Sequence, residues 1–262
     1  MISETDPAFC LVTRFSFFGK SGCKSEFSRD AALLFDEDRL RLRIDLMRRV
    51  NLQSLRVQTD EDFHLFVLTS SDLPKWAGDE LRRICAEILP DERVSIVAAP
   101  PSPARKPLRL FTARRYGGRP HVQIALDDDD GLSSDFVATV RSELAGIDPA
   151  EGLPRFLTFP TGFGVDWQDE GPANVFVHSR PYINLGLTMV TTSERKNILA
   201  IDHQGTPPRY GCRVCREDVP MFVRTVHGAN DSRVAVRSEW VPVADPAANV
   251  DITARFPWLL GR

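Results

Sequence analysis

The chain has 262 residues, 42% of them apolar and 26% charged, a balance that permits one large α/β domain and excludes a disordered or fibrous chain. Its 33 Lys and Arg against 36 Asp and Glu leave a net charge of −3, with basic residues spread among acidic ones, which excludes the electrostatic footprint of a nucleic-acid partner. Any anionic ligand has to be held locally, by a cation or a few arginines.

The opening Met1-Ile-Ser-Glu-Thr-Asp-Pro7 lacks the basic and apolar regions of a secretory signal, and no apolar run approaches the ~18 residues of a membrane span. The expectation is a soluble, cytoplasmic protein with at most peripheral contact at the inner membrane. Ala8 to Phe18 is apolar and rich in β-formers, a first strand carrying Arg14 near its end. The loop at Gly19 to Gly22 lacks the spacing of a phosphate-cradling P-loop. Asp38 precedes a helical pattern through Val57, with Leu40, Ile44, Met47 and Leu55 on one side and arginines that read as a solvated face. Asp62 to Ser70 is a second buried strand ending in Thr69, Ser70, Ser71 and Asp72, after which Pro74 blocks continuation. A helix from about Ala77 to Leu89 and a strand at Val94 to Ala98 complete a βαβαβ start, the pattern of a parallel sheet.

Pro100, Pro101, Pro103 and Pro107 make a stiff link into a short helix, Leu108 to Tyr116, whose Arg109, Arg114 and Arg115 either face solvent or meet an anion. Beyond Gly146 the strands are expected at Phe156–Phe159, Asn174–His178 and Asn184–Thr192, separated by Gly and Pro turns, an antiparallel extension. Phe163, Trp167 and Tyr182 there serve either the core or a stacking surface. The fold class is therefore α/β: an open, mostly parallel, Rossmann-like sheet flanked by helices, with a mixed or antiparallel C-terminal extension. Five cysteines, at 10, 23, 85, 212 and 215, suit a reducing compartment. Cys212 and Cys215 form one Cys-x-x-Cys, for which zinc would need outside ligands such as His203 or His227. Phe256-Pro-Trp-Leu-Leu260 either docks on the core or touches a membrane, docking being the plainer reading.

The chemically loaded stretch is His121-Val-Gln-Ile-Ala-Leu-Asp-Asp-Asp-Asp130, an apolar strand running into four consecutive carboxylates. Like charges so close repel unless a cation or water screens them. Ser134 then caps a helix carrying Phe136, Val137, Val140 and Leu144. The order strand, acidic turn, helix puts the acids outside the carboxyl end of a strand, where open α/β sheets bind ligands. A hard cation, Mg or Mn, suits Asp127 and Asp129 there, and an inert solvated loop is the bland alternative.

Ser54 to Pro74 resembles the first helix and second strand of glycosyltransferases with the GT-A fold, and Leu126-Asp-Asp-Asp-Asp-Gly-Leu132 resembles their Asp-x-Asp motif. Thr13-Arg-Phe15, Gln58-Thr59, the acidic run and Val226-His-Gly-Ala-Asn230 are similar to a bacterial family labelled as rhamnosyltransferases, in the order of these pieces over residues 11 to 232. The resemblance implies a single domain, with a nucleotide-binding half at about 8–146, an acceptor-side half at about 147–232 and a tail at 233–262. It implies transfer of a sugar from a nucleotide diphosphate-sugar to a glycan or lipid-linked acceptor, as in bacterial polysaccharide biosynthesis, assisted by Mg or Mn. It makes Asp127, Asp129 and His227 the metal ligands. Arg14, Asp127, Asp128 and Arg115 become donor contacts, and Thr69, Ser70 and Ser71 the nucleoside end. An inverting reaction needs a carboxylate base, for which Asp166, Asp169, Glu170 and Asp202 are candidates. Asp→Asn at 127 or 129 is expected to impair donor binding without harming the fold. A nucleotidyltransferase acting on sugar phosphates and a non-catalytic carbohydrate- or calcium-binding module are the alternatives from other classes.

Overall fold

The structure, a computed structural model, describes residues 7–20, 26–27, 29–145, 154–168, 171–230 and 235–260. The N-terminal half of the chain runs β1 (Ala8–Arg14), α1 (Ala31–Leu34), α2 (Glu37–Leu46), α3 (Leu52–Arg56), β2 (His64–Ser70), α4 (Lys75–Ile88), β3 (Val94–Ala99), α5 (Arg105–Tyr116), β4 (His121–Ala125), β5 (Gly131–Leu132) and α6 (Phe136–Glu143). It continues through β6 (Arg155–Thr158), β7 (Thr161–Gln168), β8 (Gly171–Ser179), β9 (Thr188–Thr191), α7 (Thr206–Tyr210), β10 (Cys212–Val214), β11 (Phe222–Val226), β12 (Val241–Pro242) and α8 (Val250–Arg255).

The apolar runs become parallel strands because both faces of their sheet are covered. Leu11, Leu65, Val67, Val122 and Ile124 pack with Leu40, Ile44, Leu81, Ile84, Val137 and Val140 from the helices on one face. Cys10, Val12, Phe66 and Leu68 pack with Leu108 and Tyr116 of α5 on the other. The seven-stranded sheet has the order β10-β6-β9-β4-β1-β2-β3, with β3, β2, β1 and β4 parallel and β9 antiparallel to β4 and β6. From β1 the chain winds outward through β2 and β3, then returns to β4 on the other side. The cleft at this reversal lies outside the carboxyl ends of β1 and β4, where Arg14 and the acidic turn stand.

A second, five-stranded sheet has the order β12-β8-β7-β11-β5 and is antiparallel except between β7 and β11. Of the three strands expected to form an antiparallel extension only β8 lies here, while β6 and β9 join the seven-stranded sheet; β7 was not expected, its alternation being masked by Gly162 and Gly164 between Phe163, Val165 and Trp167. Phe163 and Trp167 pack with Leu46, Val50, Val223 and Phe256, so they are core and offer no stacking surface. Tyr182 is half-buried at a positive φ of 56°.

The long helical pattern needs two corrections. Its N-cap is Asp36, whose Oδ1 accepts the Arg39 N–H at 3.0 Å, two residues before the expected start. A π-helical turn, Met47–Asn51, joins α2 to α3. The arginines do not share one solvated face: Arg41 and Arg56 are exposed, whereas Arg39 and Arg43 are buried.

The C-terminal segment docks on the core. Asn249 caps α8, and Ile252, Phe256, Trp258 and Leu259 are buried against the second sheet and α2. Arg255 binds Asp135 at 2.8 Å, and its carbonyl accepts the Ser134 N–H at 2.8 Å. The Trp258 ring lies so close to Gly131 that a Cβ there would stand 2.6 Å from two ring carbons. Among the described residues no helix is long and apolar enough to cross a membrane.

Gly131→Ala must therefore displace the ring, and overpacking of this kind costs about 1–3 kcal/mol. Urea unfolding should show that loss, and adding Trp258→Leu should recover part of it. A single variant as stable as the parent would contradict the packing.

Candidate functional site

At the carboxyl end of β4, Leu126 N–H still bonds the Val12 carbonyl at 3.1 Å, and Asp130 N–H closes the turn on the Asp127 carbonyl at 3.2 Å. Within this turn the four acids go to four different environments. Asp127 keeps 37% of its side chain exposed and pairs with Arg14 Nη2 at 3.1 Å. Asp128 is 1% exposed and receives Arg43 on both oxygens, from Nε at 3.1 Å and from Nη2. Asp129 is buried too, and its Oδ2 accepts from Arg43 Nη1 at 2.5 Å, His227 Nε2 at 2.9 Å and Asn230 Nδ2 at 3.0 Å. Asp130 accepts the Thr225 N–H at 3.1 Å, while Thr225 Oγ1 donates to the Asp129 carbonyl at 2.6 Å.

Electrostatics follow the partners. Burial pushes the Asp129 carboxyl up, but the Arg43 charge and the His227 hydrogen bond outweigh it and hold the group below the usual carboxylate range. Asp130 has no such cation in hydrogen-bond contact. Burial, and then the negative charge of Asp129, push it well above that range, opposed by Arg224.

Local sequence explains why these partners arrive. Arg43 sits between Leu40 and Met47 on the buried stripe of α2. Asn51 Nδ2 donates to the Asp127 carbonyl at 3.0 Å and to Thr13 Oγ1 at 3.4 Å. In a regular α-helix, positions 43 and 51 would differ by roughly 80° around the axis. The wider π turn takes up that rotation, so one helix delivers both side chains to the acidic turn. His227 follows β11. Its Nδ1 accepts the Ala229 N–H at 3.2 Å, and its N–H donates to Asn230 Oδ1 at 2.7 Å, which leaves Nε2 as the protonated nitrogen facing Asp129.

Of the residues expected from sequence, the turn gathers Arg14, Asp127, Asp128, Asp129 and His227. Asp166 lies on the face of β7 that carries Gly162 and Gly164, opposite the core trio, and Asn174 Nδ2 donates to it at 3.2 Å. On that same face, register sets Arg224 beside Gly164 and Val226 beside Asp166. His203 is lowered in pKa, by burial first, and feels Asp202, Arg180, Asp127 and Arg224, which places it near the exposed acid of the turn. Asp202 is exposed and its Oδ1 accepts the Gln204 N–H at 3.2 Å. Thr69 and Ser70 are buried at the end of β2, Thr69 with a hydroxyl that finds no partner, while Ser71 is exposed. Asp169, Glu170 and Cys23 lie outside the described residues.

Arg115 does not join the site. It is exposed on α5 and its charge acts on Cys10 and His64, which are paired near the amino ends of β1 and β2, the opposite edge of the sheet. The residues that sequence reasoning passed over are Arg43, Asn51 and Arg224. Arg43 carried a signal, its position within the Leu40, Ile44, Met47 stripe. Asn51 carried none, because a π turn has no sequence period of its own.

A hard dication needs unprotonated oxygen or imidazole lone pairs converging on one point. Here the Asp129 oxygen nearest His227 already takes three donors, the facing imidazole nitrogen carries a proton, and Asp127 pairs with Arg14. Among the described residues no three His, Cys, Asp or Glu side chains converge as a metal site, and Cys212 and Cys215 are free thiols. As arranged, the donor set does not fit Mg or Mn.

A doubly wound sheet whose reversal point carries carboxylates and arginines defines an α/β protein with its candidate site at the strand ends. Residues 8–238 match the family described as "putative rhamnosyl transferase", and the chain belongs to that family. Among solved structures, S. aureus TarS is similar over 84% of this chain at 13% identity and a TM-score of 0.47. A "putative glucose-1-phosphate thymidylyltransferase" from Bacillus anthracis, in complex with a sucrose, is similar at 10% identity and a TM-score of 0.43, over 82% of this chain and 89% of that one. This chain spans 37% of the length of the TarS chain. No curated protein matches it.

The division of the acids changes the expectation for their amides. Asp127→Asn should cost below about 1 kcal/mol, as for an exposed pair. Asp129→Asn strips a buried guanidinium of one of its two carboxylates and should cost on the order of 3 kcal/mol. Denaturant midpoints of the two variants test this, and equal losses would contradict the division. His227→Ala combined with Asp129→Asn should be less than additive, because the two share one bond.

Proposed function

We propose that the protein transfers a sugar, rhamnose by its family's description, from a nucleotide diphosphate-sugar to a hydroxyl of a glycan or lipid-linked acceptor. The observation that carries this reading is the convergence of Arg14, Asp127, Arg224 and His203 on the cleft outside β1 and β4. Breaking the bond between sugar and phosphate leaves negative charge on the diphosphate, and fixed guanidinium groups stabilise it without reorganising. Asp127, the one acid of the turn with substantial exposure, is free to accept from ribose hydroxyls on its second oxygen. Thr69 and Ser70, at the end of β2, take the nucleoside side.

On the acceptor side, Asp166 is favoured over Asp202 as the base. It sits on a strand of the second sheet, on the face where Arg224 pairs with Gly164 two positions away, with Asn174 orienting one oxygen, whereas Asp202 belongs to an exposed turn. The glycines at 162 and 164 carry no side chain on that face, and Trp240 presses onto Gly164 and tilts at 44° against His178, ring centroids 4.6 Å apart. Mg or Mn assistance, which the family resemblance implies, is not favoured by the donor arrangement, and no step here is routed through a metal.

A ligand that binds only the native state at a hundredfold excess over its Kd stabilises by about 2.7 kcal/mol. In a chain of this size that is a rise of roughly 5–10 °C in Tm. Thermal unfolding with UDP, dTDP and GDP should show such a rise for at least one, diminished by Arg14→Ala. Incubation with the matching nucleotide-sugar should release nucleoside diphosphate and sugar slowly, and Asp166→Asn should lower transfer far more than donor binding. Release of pyrophosphate instead would point to nucleotidyl transfer.

A further inference from the structure

Arg43 reaches the acidic turn from the apolar stripe of a helix, at 2% side-chain exposure, with Nε and Nη2 on the two oxygens of Asp128 and Nη1 on Asp129. Every edge of the planar fork is used, which a lysine could not reproduce. Asn230 and His227 complete the shell on the same Asp129 oxygen. A dication seated between Asp129 and His227 would have to displace these donors and sit beside a guanidinium that is itself 2.5 Å from that oxygen.

We infer that Arg43 occupies, as part of the chain, the place a divalent cation would hold on this turn, so that the turn is assembled without metal and the donor's diphosphate is met by arginine. The first half stands on the ion cluster alone. The second deepens the transfer reading and rests on it. The physical logic is one of charge: consecutive buried carboxylates demand a counter-ion, and a helix that is already part of the core supplies it permanently. A metal would leave with a chelator, whereas a covalently tethered guanidinium does not.

The test uses the full chain stripped with EDTA, and the metal alone as probe. Wild type should keep the same Tm with and without millimolar Mn, and Mn titrated by electron paramagnetic resonance should remain free. Arg43→Met keeps much of the volume but removes the charge. It should unfold at lower temperature, and Mn should restore part of that loss saturably, with no restoration once Asp129→Asn is added. Saturable stabilisation of wild type by Mn, abolished by Asp129→Asn, overturns the inference, and so does an Arg43→Met protein that folds yet gains nothing from Mn. If Arg43→Met fails to fold, the wild-type Mn titration decides alone. A nucleoside diphosphate that stabilises wild type only when Mn is present overturns the inference and leaves sugar transfer standing. If no nucleoside diphosphate acts with or without Mn, the transfer reading falls and the metal-alone measurements still decide the place of Arg43.

Discussion

The structure depends on one buried guanidinium. Asp128 and Asp129 leave the end of a core strand side by side, and neither can be buried ionised without a partner. Arg43 answers both, and the requirement spreads outward from it. The helix that carries it must bring an arginine through its apolar face, and that helix must widen into a π turn so that Asn51 can hold the Asp127 carbonyl from the same side. The end of β11 must then supply His227 and Asn230 for the remaining capacity of Asp129.

Such a cluster is poor evidence for stability, since a buried ion pair recovers little more than its desolvation cost. Its effect is on uniqueness. With Asp128 and Asp129 drawn inward and Asp130 turned to the Thr225 amide, the turn has one conformation, in which Asp127 alone points into the cleft. A run of four acids that reads as a diffuse negative patch is thus reduced to one accessible carboxylate beside one arginine. That is a surface an anionic diphosphate can approach without facing four like charges.

Much of this was legible in the sequence, for identifiable reasons. Strands β1 to β4 were readable because a sheet covered on both faces needs unbroken apolar runs, and β2 is buried over its whole length. The acidic turn was readable because charge repulsion at a strand end is unusual whatever the fold. Arg43 was misread because composition treats every helical arginine as solvated, although its spacing from Leu40 and Met47 said otherwise. Strand β7 was missed because glycine at alternate positions erases the polar half of a period-two pattern. Arg115 was assigned to the site on proximity in sequence to the acidic strand, yet a helix preceding β4 must end near the strand's beginning, a full strand length from its carboxyl end. The outcome for Asp127 and His227 also divides along physical lines: residue type predicted which groups meet, but only the geometry tells which of them already have partners.

The position of the turn explains why the second sheet matters to it. Strand β4 belongs to the seven-stranded sheet and β5 to the five-stranded one, so the four acids are one of the covalent joints between the two. On the far side of that joint Gly131 admits the Trp258 ring, and β5 pairs with β11, whose next residues supply Thr225 and His227 to the acids. The acidic turn is thereby one of the links between the sheets, alongside the passages from β6 to β7, β8 to β9 and β10 to β11. A ligand bridging Arg14 on one sheet and Arg224 on the other would span this acidic turn. Arg43 anchors that turn from inside, through Asp128 and Asp129.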